Sequence, residues 1–149
     1  MNSIYFYHSD ALGSVNYITD SKGSIAATYE YKTYGEPTIK DSTGKMLTGS
    51  AIGNPFMFTA REYDFETGLY YYRARYYNPV MGRFLQEDPI GFPGGDLNLY
   101  VYVRNNPVKY REPGGKDVYY VNWLYHAGVI IGNKENGYQV FQFSPKNLL

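Results

Sequence analysis

Residues 5–37 read YFYHSDALGSVNYITDSKGSIAATYEYKTYGEP, aromatic and β-branched runs punctuated by Asp10-Ala11-Leu12-Gly13 and Asp20-Ser21-Lys22-Gly23. An Asp opening such a turn accepts backbone N–H groups on its carboxylate, and a Gly closing it takes a left-handed conformation that other residues resist. The spacing predicts short antiparallel hairpins. Tyr29-Glu30-Tyr31 and Tyr34-Gly35-Glu36 continue the pattern, and Asp41-Ser42-Thr43-Gly44 and Asp64-Phe65-Glu66-Thr67-Gly68 return to the same turn, so the chain carries an irregular internal repeat. Residues 41–54, rich in Ser, Thr and Gly, are expected to form an exposed loop without a domain boundary.

Further along, residues 69–77 read LYYYRARYY, and alternation along one strand puts Tyr70, Tyr72, Ala74 and Tyr76 on one face and Tyr71, Arg73, Arg75 and Tyr77 on the other. Asn78-Pro79 ends that strand, because Pro lacks a donor and restricts the residue before it. Residues 86–95, QEDPIGFPGG, are too rich in Pro and Gly for a strand and predict a shaped loop. Residues 97–103, LNLYVYV, predict a strand closed by Asn105-Asn106-Pro107. After Lys116 the Asp-x-x-Gly turns stop and the single Trp appears, which marks a boundary.

Composition narrows the classes. At 149 residues the chain fits one domain, which buries roughly 70% of its unfolded surface on folding. Hydrophobic residues make up 44% and charged residues 19%, which excludes the disordered class. Lys plus Arg equals Asp plus Glu at 14 each, so no net field gathers nucleic acid or an anionic membrane. The absence of Cys removes disulfides, thiolate metal sites and Cys nucleophiles. Residues 118–131 are too short and too polar to span a bilayer, and the N-terminus lacks a signal-peptide pattern, so export is expected to use other machinery or a leader outside this sequence. Nineteen Tyr, eight Phe and sixteen Gly describe an all-β chain with frequent tight turns.

The segments YHSDALGSV (7–15), YGE (34–36), TAREYDFETGLYYYRARYYNPVMGRFLQEDPIGFPGGDLNLYVYVRNNP (59–107) and REPGGK (111–116) resemble the RHS repeat-associated core domain. That domain is the C-terminal part of bacterial RHS/YD-repeat proteins, whose shells enclose a polymorphic toxin. The resemblance implies an all-β spiral of antiparallel hairpins forming the end of a shell, with a plug-like loop region and a short C-terminal hairpin. It divides the chain into terminal YD-type repeats (1–58), the repeat-associated core or plug (59–116) and the start of a variable, truncated toxin segment (117–149). The implied partners are the rest of the shell and its C-terminal toxin, together with an immunity protein and a secretion-system component. No cofactor, metal or nucleic acid is implied. The implied setting is bacterial, secreted or envelope-associated, in interbacterial competition.

The same resemblance implies an aspartyl-type self-cleavage. One acid falls on Asp88 in the Glu-Asp-Pro-Ile-Gly loop, the second on Glu112, 24 residues on, and the residue before the cut on Lys116. The family's motif has Asp where Glu112 stands and Leu where Lys116 stands. Two close carboxylates suit the reaction because they do not both ionise cheaply: one stays protonated to polarise the peptide carbonyl while the other activates water. Arg83 is a candidate to pair with one acid.

The plainer readings stand beside these: Asp88 as a turn residue before Pro89, Glu112 as a solvated acid beside Arg111, Asp96 as a loop-structuring residue and Arg83 as a surface arginine. Arg73 and Arg75 among tyrosines suit wall packing better than stacking on a single-stranded nucleic acid. In the tail, His126 precedes a strand pattern with a faint likeness to the histidine hairpin of papain-like toxins, where it would be a general base, against a hydrogen-bonded histidine at a hairpin edge. His8 reads as a shell residue. Two rival functions remain: a cell-surface module binding carbohydrate or a neighbouring cell through an exposed tyrosine stripe, and an inactive displaced 3′ cassette.

Overall fold

The computed structural model describes residues 4–50, 52–116, 118–120, 127–133 and 137–143. Among them the regular structure is β-strand, interrupted only by three short 3-10 turns. Strands β1 (Ile4–Ser9), β2 (Val15–Asp20), β3 (Ile25–Tyr31), β4 (Pro37–Asp41) and β5 (Met46–Leu47) form an antiparallel meander. Its turns follow from the Asp-x-x-Gly spacing. The Asp10 Oδ1 accepts the N–H groups of Leu12 and Ser14 at 2.9 and 2.8 Å, and Asp20 and Asp41 hold their turns in the same way. Gly35 ends the β3–β4 turn at φ +90°, and an added Cβ would lie 2.5 Å from the Phe58 ring. Conformation and packing both require glycine there.

A second antiparallel sheet holds β6 (Glu62–Asp64), β7 (Leu69–Tyr71), β8 (Tyr76–Asn78) and β9 (Arg83–Phe84), in that order. Strands β10 (Tyr110–Arg111) and β11 (Tyr119–Tyr120) pair with each other, and β12 (Ala127–Asn133) and β13 (Gly137–Phe143) form a hairpin. The hairpin extends the first sheet, with Phe6 opposite Val129 and Tyr5 opposite Ile130, to give the order β13-β12-β1-β2-β3-β4-β5.

A single cluster of buried side chains runs from Tyr7, Val15 and Ile18 through Phe58 to Tyr70, Tyr72, Tyr77, Phe84 and Tyr102, so residues 4–58 and 59–116 share one core. Rings of Tyr72, Tyr77, Phe84 and Tyr102 pack with centroids 4.4–5.7 Å apart. Burial at this density is possible because the phenols find partners. Tyr70 donates to the Gly35 carbonyl at 2.9 Å and Tyr77 to that of Tyr34 at 2.7 Å, while the Tyr72 hydroxyl joins Thr59 Oγ1 and the Tyr102 hydroxyl. Asn54, 1% exposed, bonds the hydroxyls of Tyr7 and Tyr29. Tyr7, Tyr29, Tyr70, Tyr72, Tyr77 and Tyr102 are thus buried in the core, whereas Tyr17, Tyr71 and Tyr76 are exposed.

Three local expectations need correction. LYYYRARYY is not one strand: Arg73 takes φ +66° and the chain reverses between Tyr72 and Arg75, where Tyr72 N–H meets the Arg75 carbonyl at 2.9 Å. The hairpin separates the two arginines, leaving Arg73 exposed and Arg75 buried. LNLYVYV is not a strand either. Asp96 and Asn98 side chains take the N–H groups of Asn98 and Tyr100, a local alternative to a ladder, leaving one bridge from Val101 to Arg83. Val103, Arg104 and Asn105 then all adopt positive φ. Residues 41–54 are a hairpin and a buried anchor, Asn54, rather than one exposed loop.

Candidate functional site

The candidate site grows from the β7–β8 reversal, which points Arg75 inward. Arg75 is 2% exposed, and its guanidinium lies over the Phe84 ring at 3.7 Å. All three of its nitrogens donate. Nε donates to the Gly115 carbonyl at 2.7 Å, Nη1 to the Leu99 carbonyl at 3.2 Å, and Nη2 to Asp88 Oδ2 at 3.0 Å and to Glu112 Oε1 in a short contact. Asp88 and Glu112 are thus brought within a few ångströms of each other on one nitrogen.

Asp88 sits at the head of the Asp-Pro-Ile-Gly turn. Its Oδ1 accepts the Ile90 N–H at 2.9 Å, and its carbonyl accepts the Gly91 N–H at 2.9 Å. One oxygen does the turn-holding of the plainer reading while the other faces Arg75. Glu112 heads a similar turn, its carbonyl accepting the Gly115 N–H at 3.2 Å, and Gly115 stands at φ +64° where a Cβ would meet the Tyr72 carbonyl at 2.7 Å. Glu112 is 2% exposed, so it is not the solvated acid of the plainer reading. Burial pushes its carboxyl up to about 7, against the attraction of Arg75 and the bond from the Val103 N–H, and the nearby Asp88 pushes the same way as burial.

Together the two acids help line a cavity of about 180 Å³ whose walls also carry Asp96, Leu99, Arg104 and Lys116. Lys116 is exposed at its edge. Arg83 is elsewhere: its guanidinium lies 4.6 Å above the Tyr100 ring and is paired with neither acid. The arginine that joins the acids is Arg75, which alternation along an unbroken strand could not single out. His8 stacks on Tyr17 at 4.2 Å and shares a 3.1 Å hydrogen bond with Thr19. His126 and the boundary residue Asp117 lie outside the described residues. Among the described residues no cluster of three His, Asp or Glu is arranged to hold a metal ion, and no helix is long and apolar enough to cross a membrane.

No family model matches the chain. It is 41% identical over 120 residues to the tRNA(Glu)-specific nuclease WapA of Bacillus subtilis subsp. natto, covering 78% of this chain and 5% of that protein. It is 35% identical over 112 residues to the double-stranded DNA deaminase toxin A of Burkholderia cenocepacia, covering 75% of this chain and 8% of that one. Its fold matches the crystal structure of TcdB2-TccC3 with a TM-score of 0.64 and 34% identity, over 76% of this chain and 5% of that one. The chain spans under a tenth of the length of each of these proteins. Over about three quarters of its own length it is therefore similar to a small part of a nuclease and a small part of a deaminase toxin, whose named activities, tRNA cleavage and DNA deamination, are unlike.

Proposed function

We propose that this chain is the core region of an RHS-type toxin protein, which encloses and presents a C-terminal toxin and releases it by aspartyl-type self-cleavage after Lys116. A region common to a nuclease and a deaminase serves what they share, not either activity. The observation that carries the cleavage reading is the meeting of Asp88 and Glu112 on the buried Arg75, whose Nε also holds the Gly115 carbonyl one residue before Lys116.

Glu112, kept partly protonated near neutral pH, donates to the Lys116 carbonyl oxygen; ionised Asp88 takes a proton from water, whose oxygen attacks the carbonyl carbon. Collapse of the tetrahedral intermediate breaks the bond between residues 116 and 117 as the leaving nitrogen takes up the proton gained by Asp88 and the hydroxyl formed on the carbonyl oxygen returns its proton to Glu112. Arg75 keeps the ionised acid in place and orients the strand entering the cut.

The test is the mass of the full chain, tagged at both ends, followed over time beside Asp88→Asn and Glu112→Gln variants. A wild-type fragment ending at Lys116, absent from both variants, is expected. An intact 17.1 kDa wild-type chain that stays intact when joined to the rest of its shell would overturn the cleavage and leave the enclosing role.

A further inference from the structure

We propose that Asp96 recognises Lys116, so that this core cuts after a basic residue; the inference rests on the self-cleavage reading. Five charged side chains line the cavity: Asp88, Asp96, Arg104, Glu112 and Lys116. Asp88 and Glu112 both spend their charge on Arg75. Asp96 is differently placed. Its Oδ1 takes the Asn98 N–H at 3.1 Å, which fixes the carboxylate on the wall, and no ammonium or guanidinium among the described residues lies within ion-pair distance of it.

The rest of the lining suits a lysine rather than a compact cation. Leu99, Val101 and Val118 supply apolar wall beside the acid. A lysine lays its methylene stem on such a surface and carries its ammonium to a polar rim. Lys116 already stands at the cavity's edge with its ammonium uncommitted to any acid in an ion pair among the described residues. Arg104 is the competing cation. Its Nη2 lies 3.7 Å from where a Gly95 Cβ would sit, one residue from Asp96, so a guanidinium stands against the loop that carries the acid.

The experiment is a double-mutant cycle on the doubly tagged full chain, reading the rate at which the fragment ending at residue 116 appears. Asp96→Asn is expected to slow cleavage about two- to fivefold, the worth of one half-exposed charge pair. In the Lys116→Leu background the same substitution is expected to cost several-fold less, and Lys116→Glu, slower than wild type, is expected to recover when combined with Asp96→Lys. Equal slowing by Asp96→Asn in both backgrounds would assign Asp96 to loop structure alone and overturn the proposal.

Should no variant cleave, the self-cleavage reading fails by itself, and recognition is read from the Lys116 ammonium. In the chain with ¹³C-dimethylated lysines, contacts between the Lys116 methyls and the Leu99 and Val101 side chains are expected in nuclear Overhauser spectra, and Asp96→Asn is expected to weaken them. Unchanged contacts would overturn the proposal without any cleavage being needed.

Discussion

Replacing Glu112 by Gln turns the environment of one carboxyl into a pH dependence of the whole fold. Glu112 holds its proton to about pH 7 in the folded chain, whereas unfolding exposes it at its ordinary 4.5. Between those values the native state binds a proton that the unfolded state has released, so raising the pH favours unfolding. At about 1.4 kcal/mol per pH unit, the interval amounts to about 3 kcal/mol, present in full below pH 4.5 and gone by pH 8. The side chain is 2% exposed, so water does little to reduce that figure.

The assay is urea denaturation of Asp88→Asn, which is expected not to cut itself, and of the Asp88→Asn, Glu112→Gln double variant at half-unit steps from pH 4 to 8. Taking the difference between the two cancels groups they share. The single minus double variant difference is expected to fall by about 3 kcal/mol across the interval, burial being the largest cause of the raised value. A flat difference, or one that rises with pH, would mean that Arg75 outweighs burial and holds Glu112 ionised, refuting the division of labour between the acids.

Gly35→Ala is expected to cost about 2–4 kcal/mol, since a Cβ there is both in a left-handed conformation and 2.5 Å from Phe58, whereas Gly23→Ala, with nothing within 4 Å, should cost only about 1 kcal/mol in the same thermal melts. Tyr72→Phe leaves the hydroxyls of Thr59 and Tyr102 short of a partner in a sealed core and should lose about 1–3 kcal/mol by chemical denaturation. Leu97→Ser, at a side chain 90% exposed, should change stability by less than about 0.5 kcal/mol, and a larger loss would show that this side chain is packed.

The first sheet was legible because its turns are written locally: an Asp accepts from the second and fourth residues after it, and a Gly supplies the positive φ. Asp88 and Glu112, named through the family resemblance alone, do meet on one nitrogen, but nothing in the sequence pointed to the arginine that carries it. Arg75 is selected by the carbonyls of Leu99 and Gly115, 24 and 40 residues away, contacts that leave no local mark. The reversal that aims it rests on a positive φ at Arg73, and the segment after Tyr102 rests on positive φ at Val103, Arg104 and Asn105. Residues that L side chains rarely place there give no warning in composition. LNLYVYV misled for a related reason, its strand propensity being overridden by Asp96 and Asn98 capping backbone nearby.

The turn at Asp88 has a bearing on how chemistry enters a repetitive wall. A carboxylate has two oxygens, and holding the turn takes one of them. In the turn at Asp64 the second oxygen goes to the Thr67 hydroxyl at 2.7 Å, a purely architectural use. In the turn at Asp88 it goes to Arg75 at 3.0 Å, beside Glu112. In the self-cleavage proposed above, the step from brick to reagent needs no new loop, only a different neighbour for an oxygen the architecture leaves over. A wall built of many such turns holds a reserve of half-used acids, each one buried arginine away from a second occupation.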